Sequence, residues 1–121
     1  MTFMTGDYGG ILFREDAATG NFYYFRIGQD GSYQLKLHVG SSQSGQNLAN
    51  GTAANVIHTG IGQMNVLAVV ANGSTITLYI NRQQITSITD TTFSQGQIAV
   101  VAEESNTPTE VAFTNAKVWT F

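Results

Sequence analysis

The chain is predicted to fold as an all-β protein, an antiparallel jelly-roll β-sandwich of two sheets and about ten strands. Three observations predict it. Apolar and polar residues alternate with period two along almost every segment, and no stretch sustains a helical period. Short clusters of Gly, Asn, Asp and Ser interrupt the alternation at close intervals. No pattern returns at a fixed spacing, which excludes propellers and solenoids. At 121 residues the sequence reads as one domain over 1–121, with room for a single core.

The elements follow in order. Met1 to Thr5 alternates, a turn at Gly6-Asp7 follows, and Gly10 to Arg14 forms the next strand. Gly20 to Val39 reads as a hairpin around Gln29-Asp30-Gly31. The stretch from Gly40 to Ala54, rich in Gly, Ser, Gln and Asn, reads as a surface loop anchored by Leu48. A short strand is predicted at Val56 to His58, then a turn over Gly60 to Gln63. Val66 to Ala71 and Thr75 to Ile80 flank Asn72-Gly73, a strong hairpin signal that pairs Val69 with Ile76 and Leu67 with Leu78. After a turn at Asn81-Arg82 come strands at Ile85 to Thr89, Gln97 to Ala102 and Glu110 to Trp119.

The first hairpin can be assigned a register. A two-residue loop at Asp30-Gly31 would set Phe25 against Lys36 and mix the faces. The longer loop Gln29-Asp30-Gly31 pairs Ile27 with Tyr33, Phe25 with Leu35 and Tyr23 with Leu37, and Gly31 suits its left-handed position. A one-residue slip would turn every side chain over, so burial selects the second register. The predicted core is Tyr23, Phe25, Ile27, Leu35, Leu67, Val69, Ile76, Leu78, Ile98, Val100, Phe113 and Val118.

Composition excludes several functions. Only 11% of residues are charged and the formal net charge is −3, with no basic cluster, which argues against nucleic acid. No cysteine is present, so neither disulfides nor thiolate chemistry is expected. The longest apolar run, Val66 to Ala71, is too short to span a bilayer, and no signal peptide is visible. Asn50-Gly51-Thr52 and Asn72-Gly73-Ser74 match a glycosylation sequon but read as turns.

A catalytic apparatus is not evident. Glu15-Asp16 and Glu103-Glu104 are sequence neighbours that would point to opposite faces of a strand, unlike the paired acids of glycoside hydrolysis. His38 and His58 have no second His or Cys at ligand spacing, and the aspartates form no cation-binding cluster. No metal or cofactor is expected. What remains is the second face of the hairpin. If Phe13 joins the core, Arg14 joins Tyr24, Arg26, Gln34, Lys36 and His38, three of the chain's five cations among aromatic rings. Rings beside planar hydrogen-bonding groups suit a sugar, while the same pattern also describes the solvated side of a two-faced sheet.

At these residues the chain resembles a known family. "GGILFRED", "NFYYFRIGQDGSYQL", "NVLAVVANGSTITLYINRQQI", "GQIAVVAEE" and "EVAFTNAKVW" are similar to successive strands of concanavalin A-like lectin/glucanase domains, of the laminin G and laminarinase-type jelly rolls. The resemblance spans Gly9 to Trp119. It implies one concave and one convex sheet, a glycan on the concave side or its rim, and an extracellular or cell-surface location. The chain departs from the family where Thr114 replaces an Asp that helps hold a structural calcium, and it lacks the laminarinase-type catalytic acids. Family members commonly begin with further strands, so the fold is expected to lack an N-terminal strand and to self-associate through the exposed edge at Met1 to Thr5.

The expected function is a non-catalytic carbohydrate-binding module for an oligo- or polysaccharide, using Arg14, Tyr24, Arg26, Gln34, Lys36 and His38. The alternative is a structural or protein-interaction ectodomain without a small ligand. A sugar hydrolase is the least favoured reading.

Overall fold

The protein is described by a computed structural model covering residues 1–40, 45–114 and 117–118. Among these residues there are ten strands and no helix. They are β1 (Thr2–Thr5), β2 (Tyr8–Asp16), β3 (Asn21–Gly28), β4 (Ser32–His38) and β5 (Gln46–Thr52), then β6 (Leu67–Asn72), β7 (Thr75–Ile80), β8 (Gln83–Thr89), β9 (Gln97–Glu103) and β10 (Glu110–Ala112). Every pairing is antiparallel. A five-stranded sheet has the order β5-β4-β3-β2-β9 and a three-stranded sheet the order β6-β7-β8. β1 and β10 form a separate ribbon, tied by a bridge between Thr2 and Met64 to the segment that enters β6.

The β3–β4 hairpin has the predicted register, with Ile27 opposite Tyr33, Phe25 opposite Leu35 and Tyr23 opposite Leu37. Gly31 sits at φ +93°, a conformation costly for any residue with a Cβ. Tyr23, Phe25, Ile27 and Leu35 are fully buried and meet Ile76, Leu78 and Ile80 of the three-stranded sheet. Met1, Phe3, Phe13, Leu37, Ala53 and Ile57 complete that core. Alternation along β3 and β7 therefore sends one face of each sheet inward, as the pattern requires.

Several expectations need correction. The stretch predicted as a loop contains β5, which pairs with β4 from Ser32↔Thr52 to Leu37↔Gln46. Its strand propensity is poor, and what holds it extended is the otherwise open edge of β4. The sequon at Asn50-Gly51-Thr52 thus lies in a strand rather than a turn. Val56 to His58 is a turn instead of a strand. Backbone bonds from Val56 and Ile57 to the Ala53 carbonyl close it, while buried Asn65 satisfies both the N–H and the C=O of His58.

The β6–β7 hairpin pairs Val69 with Leu78 and Leu67 with Ile80, two residues away from the predicted register. Its loop is Gly73-Ser74, with Gly73 at φ +60° in the first loop position, which a II′ turn demands of glycine. The shift is even, so the buried face is unchanged. Ile98 and Val100 are half-exposed and Val118 more so, outside the core assigned to them. β9 is the edge of the wider sheet, and the narrower opposite layer does not cover its inner face. The strand expected over Glu110 to Trp119 is seen as β10 with non-strand residues after it; Trp119 lies outside the described residues. Finally, the Met1 to Thr5 edge is not bare, because β10 pairs with it and Phe3 is 1% exposed.

Candidate functional site

The outer face of the five-stranded sheet carries a shallow groove lined by Tyr8, Arg26, Ser32, Tyr33, Gln34, Asn50, Gly51 and Thr52. Register explains how residues so far apart in sequence meet. Asn50, Gln34, Arg26 and Gly10 stand opposite one another across β5, β4, β3 and β2. The next row along the strands is Thr52, Ser32, Gly28, Tyr8 and Glu103. Because alternate residues share a face, the two rows present their side chains together.

Arg26 organises the groove. Its guanidinium lies 4.0 Å over the Tyr8 ring, and its Nη1 donates to Glu103 Oε1 at 2.6 Å. Gly10, the residue between Arg26 and β9, has no side chain to block that reach. Asp30, in the adjoining loop, accepts from the Ser32 hydroxyl at 2.6 Å and from its N–H at 3.0 Å. The Ser32 hydroxyl, its N–H and the charge of Arg26 together hold the Asp30 carboxyl below its usual pKa, against a raising effect of partial burial. The groove thus offers the Tyr8 ring, two side-chain amides, hydroxyls, and a cation already paired with Glu103.

The six residues expected to form the site do not act as one group. Arg26 and Gln34 line the groove. Tyr24 faces the same side but is 6% exposed, and its hydroxyl makes no hydrogen bond among the described residues. Burial first, then the charge and the close approach of the Glu103 carboxylate, which stands near the hydroxyl without full hydrogen-bond geometry, drive that hydroxyl's pKa upward, with Arg26 opposing. Lys36 lies one row away, opposite Tyr24. His38 stacks on Phe22 with centroids 4.7 Å apart, and its Nδ1 is 3.0 Å from the Gly20 carbonyl oxygen. It stands four residues along β4 from Gln34, about 13 Å away.

Arg14 leaves this face altogether. It has φ +50° in a bulge of β2, where the pairing with both β3 and β9 shifts, and its Nη1 donates to the Phe93 carbonyl at 3.0 Å. An extra residue in one strand breaks the two-residue alternation on which its placement rested.

Tyr8, Ser32, Asn50, Thr52 and Glu103 were missed. Tyr8 shares parity with Gly10 and could have been placed on this face. Asn50 and Thr52 could not, since nothing local marks β5 as a strand. Among the described residues, no three His, Cys, Asp or Glu are grouped to hold a metal ion, and no helix is long and apolar enough to cross a membrane.

No protein-family model matches the chain, and no curated protein matches it. Among solved structures, the fold is similar to that of the carbohydrate-binding module CBM66 from Bacillus subtilis, with a TM-score of 0.70 at 17% identity. The alignment covers 82% of this chain and 60% of that one, so the chain spans less than two thirds of that module's length. At this identity the likeness establishes the β-sandwich fold.

Proposed function

We propose that the chain is a non-catalytic, lectin-like carbohydrate-binding module of the concanavalin A-like kind, displayed outside the cell, that holds an oligo- or polysaccharide in the groove over β2 to β5. The observation that supports this reading most is the lining itself. The Tyr8 ring is accompanied by Arg26, Gln34 and Asn50, planar donors and acceptors set one strand apart from each other, with Ser32 and Thr52 beside them. A pyranose or furanose offers matching chemistry, with C–H patches for the ring and hydroxyls for the amides. The likeness of the fold to a carbohydrate-binding module points the same way. A groove this open fits a module that grips a chain rather than one that encloses a reacting bond.

A glycan array followed by affinity electrophoresis tests the reading. Gln34→Ala and Asn50→Ala should each weaken retention by the glycan that binds, about fivefold or more if one hydrogen bond is lost. Both residues are on the surface, so Tm should barely change. A protein that binds no glycan on the array, or variants retained as strongly as the parent, would refute it. The alternative of a protein-interaction module is favoured by one observation, the half-exposed Ile98 and Val100 on the edge strand β9.

A further inference from the structure

We infer that Glu103 sets the charge specificity of the groove, admitting neutral sugars and excluding uronates and other acidic glycans. This rests on the carbohydrate reading and goes beyond it. An arginine in a sugar site ordinarily invites a carboxylate, because the guanidinium fork matches it in geometry and charge. Here that fork is engaged from within. Glu103 Oε1 is 2.6 Å from Arg26 Nη1, and the guanidinium is held against the Tyr8 ring. The side chain of Arg26 is 16% exposed and that of Glu103 34%, so the pair is partly shielded from solvent screening.

The surroundings reinforce the exclusion. Asp30, bonded to Ser32 in the adjoining loop, lies near enough to feel the charge of Arg26, so a second carboxylate adds to the negative field around the guanidinium that Glu103 already pairs. The remaining lining residues are uncharged. Lys36, the other cation of this face, belongs to the next row and does not line the groove. An incoming carboxylate must therefore displace Glu103 or share Arg26 with it, with like charges in close approach. A neutral sugar meets neither obstacle, since hydroxyls can accept from the guanidinium N–H groups that Glu103 leaves free.

The test compares the parent, Glu103→Gln and Glu103→Asp by affinity electrophoresis in gels containing neutral polysaccharides (dextran, laminarin, galactomannan, xyloglucan) or acidic ones (polygalacturonate, alginate). Glutamine preserves shape and one acceptor oxygen but not the charge. The parent and Glu103→Asp should be retained by a neutral polysaccharide and not by the acidic ones. Glu103→Gln should gain retention by an acidic polysaccharide, about tenfold or more, with the gain shrinking as salt is raised. Retention of polygalacturonate or alginate by the parent as strongly as by Glu103→Gln overturns the inference and leaves the glycan reading standing. If the parent binds nothing while Glu103→Gln binds an acidic chain, the admission of neutral sugars is overturned and only the exclusion of acidic ones by Glu103 stands. If no protein is retained by any polysaccharide, both fall.

Discussion

Tyr23 offers the sharpest test of how the two layers are joined. Its ring is fully buried, stacked on Phe13 at 5.2 Å and set edge-on to Phe93 at 5.4 Å. Its hydroxyl donates to Asp90 Oδ1 and accepts from the Phe93 N–H at 3.2 Å. Tyr23→Phe keeps both ring contacts and removes only the oxygen. A hydrogen bond to a charged group contributes about 1.5–3 kcal/mol. Asp90 is half-buried and keeps the Thr92 N–H at 2.9 Å, so water and that donor take up part of the loss. The expected cost is about 2 kcal/mol, or a fall in Tm of roughly 6–10 °C. Its pH dependence has a definite sign. Burial raises the Asp90 pKa, but the Tyr23 hydroxyl and the Thr92 groups outweigh it and hold the carboxyl below its usual value. A depressed carboxyl adds stability above its unfolded pKa, near 4, and loses it as pH falls through the folded value. Urea unfolding followed by circular dichroism should show the full penalty at neutral pH and a smaller one below about pH 4. A cost under about 0.5 kcal/mol, or one independent of pH, would refute the reasoning.

Two further outcomes are expected. Tyr24→Phe deletes a buried hydroxyl that no described group meets in full hydrogen-bond geometry, although the Glu103 carboxylate lies close to it, so thermal unfolding should show an unchanged or higher Tm; a clear fall would mean that Glu103 accepts from it. Asp7 Oδ2 accepts from the N–H groups of Ser105, Asn106 and Thr107 at 2.8–2.9 Å, bonds that hold its carboxyl below the ordinary value. That stability is present above the unfolded pKa and lost on acidification, so Asp7→Asn should flatten the acid limb of a Tm-against-pH profile, and identical acid limbs would contradict this.

How much of this was legible in the sequence depended on whether a residue's neighbours were local. The β3–β4 register followed from Gly31 and the need to bury Phe25, and it placed Arg26 and Gln34 side by side. The groove's other half was not readable, because Asn50 and Thr52 reach it on a strand that only the edge of β4 makes extended. Arg14 was misplaced because a bulge resets alternation without any Gly or Pro to announce it. With no acid beside them in sequence, the cations read on this face would by themselves favour a ligand carrying a carboxylate; Glu103, two strands from Arg26 and far away in sequence, removes that need.

The pairing of early strands with late ones also constrains the order in which the molecule can form. The β3–β4 and β6–β7–β8 hairpins can close as soon as their residues exist. β2 must wait for β9 and β1 for β10, and Asp7 finds its three donors 98–100 positions onward. Closing such loops costs entropy before contacts repay it, so folding should run in milliseconds to seconds rather than microseconds. During synthesis one edge of β2 stays unpaired until β9 has left the ribosome, the interval in which a β protein is most open to aggregation.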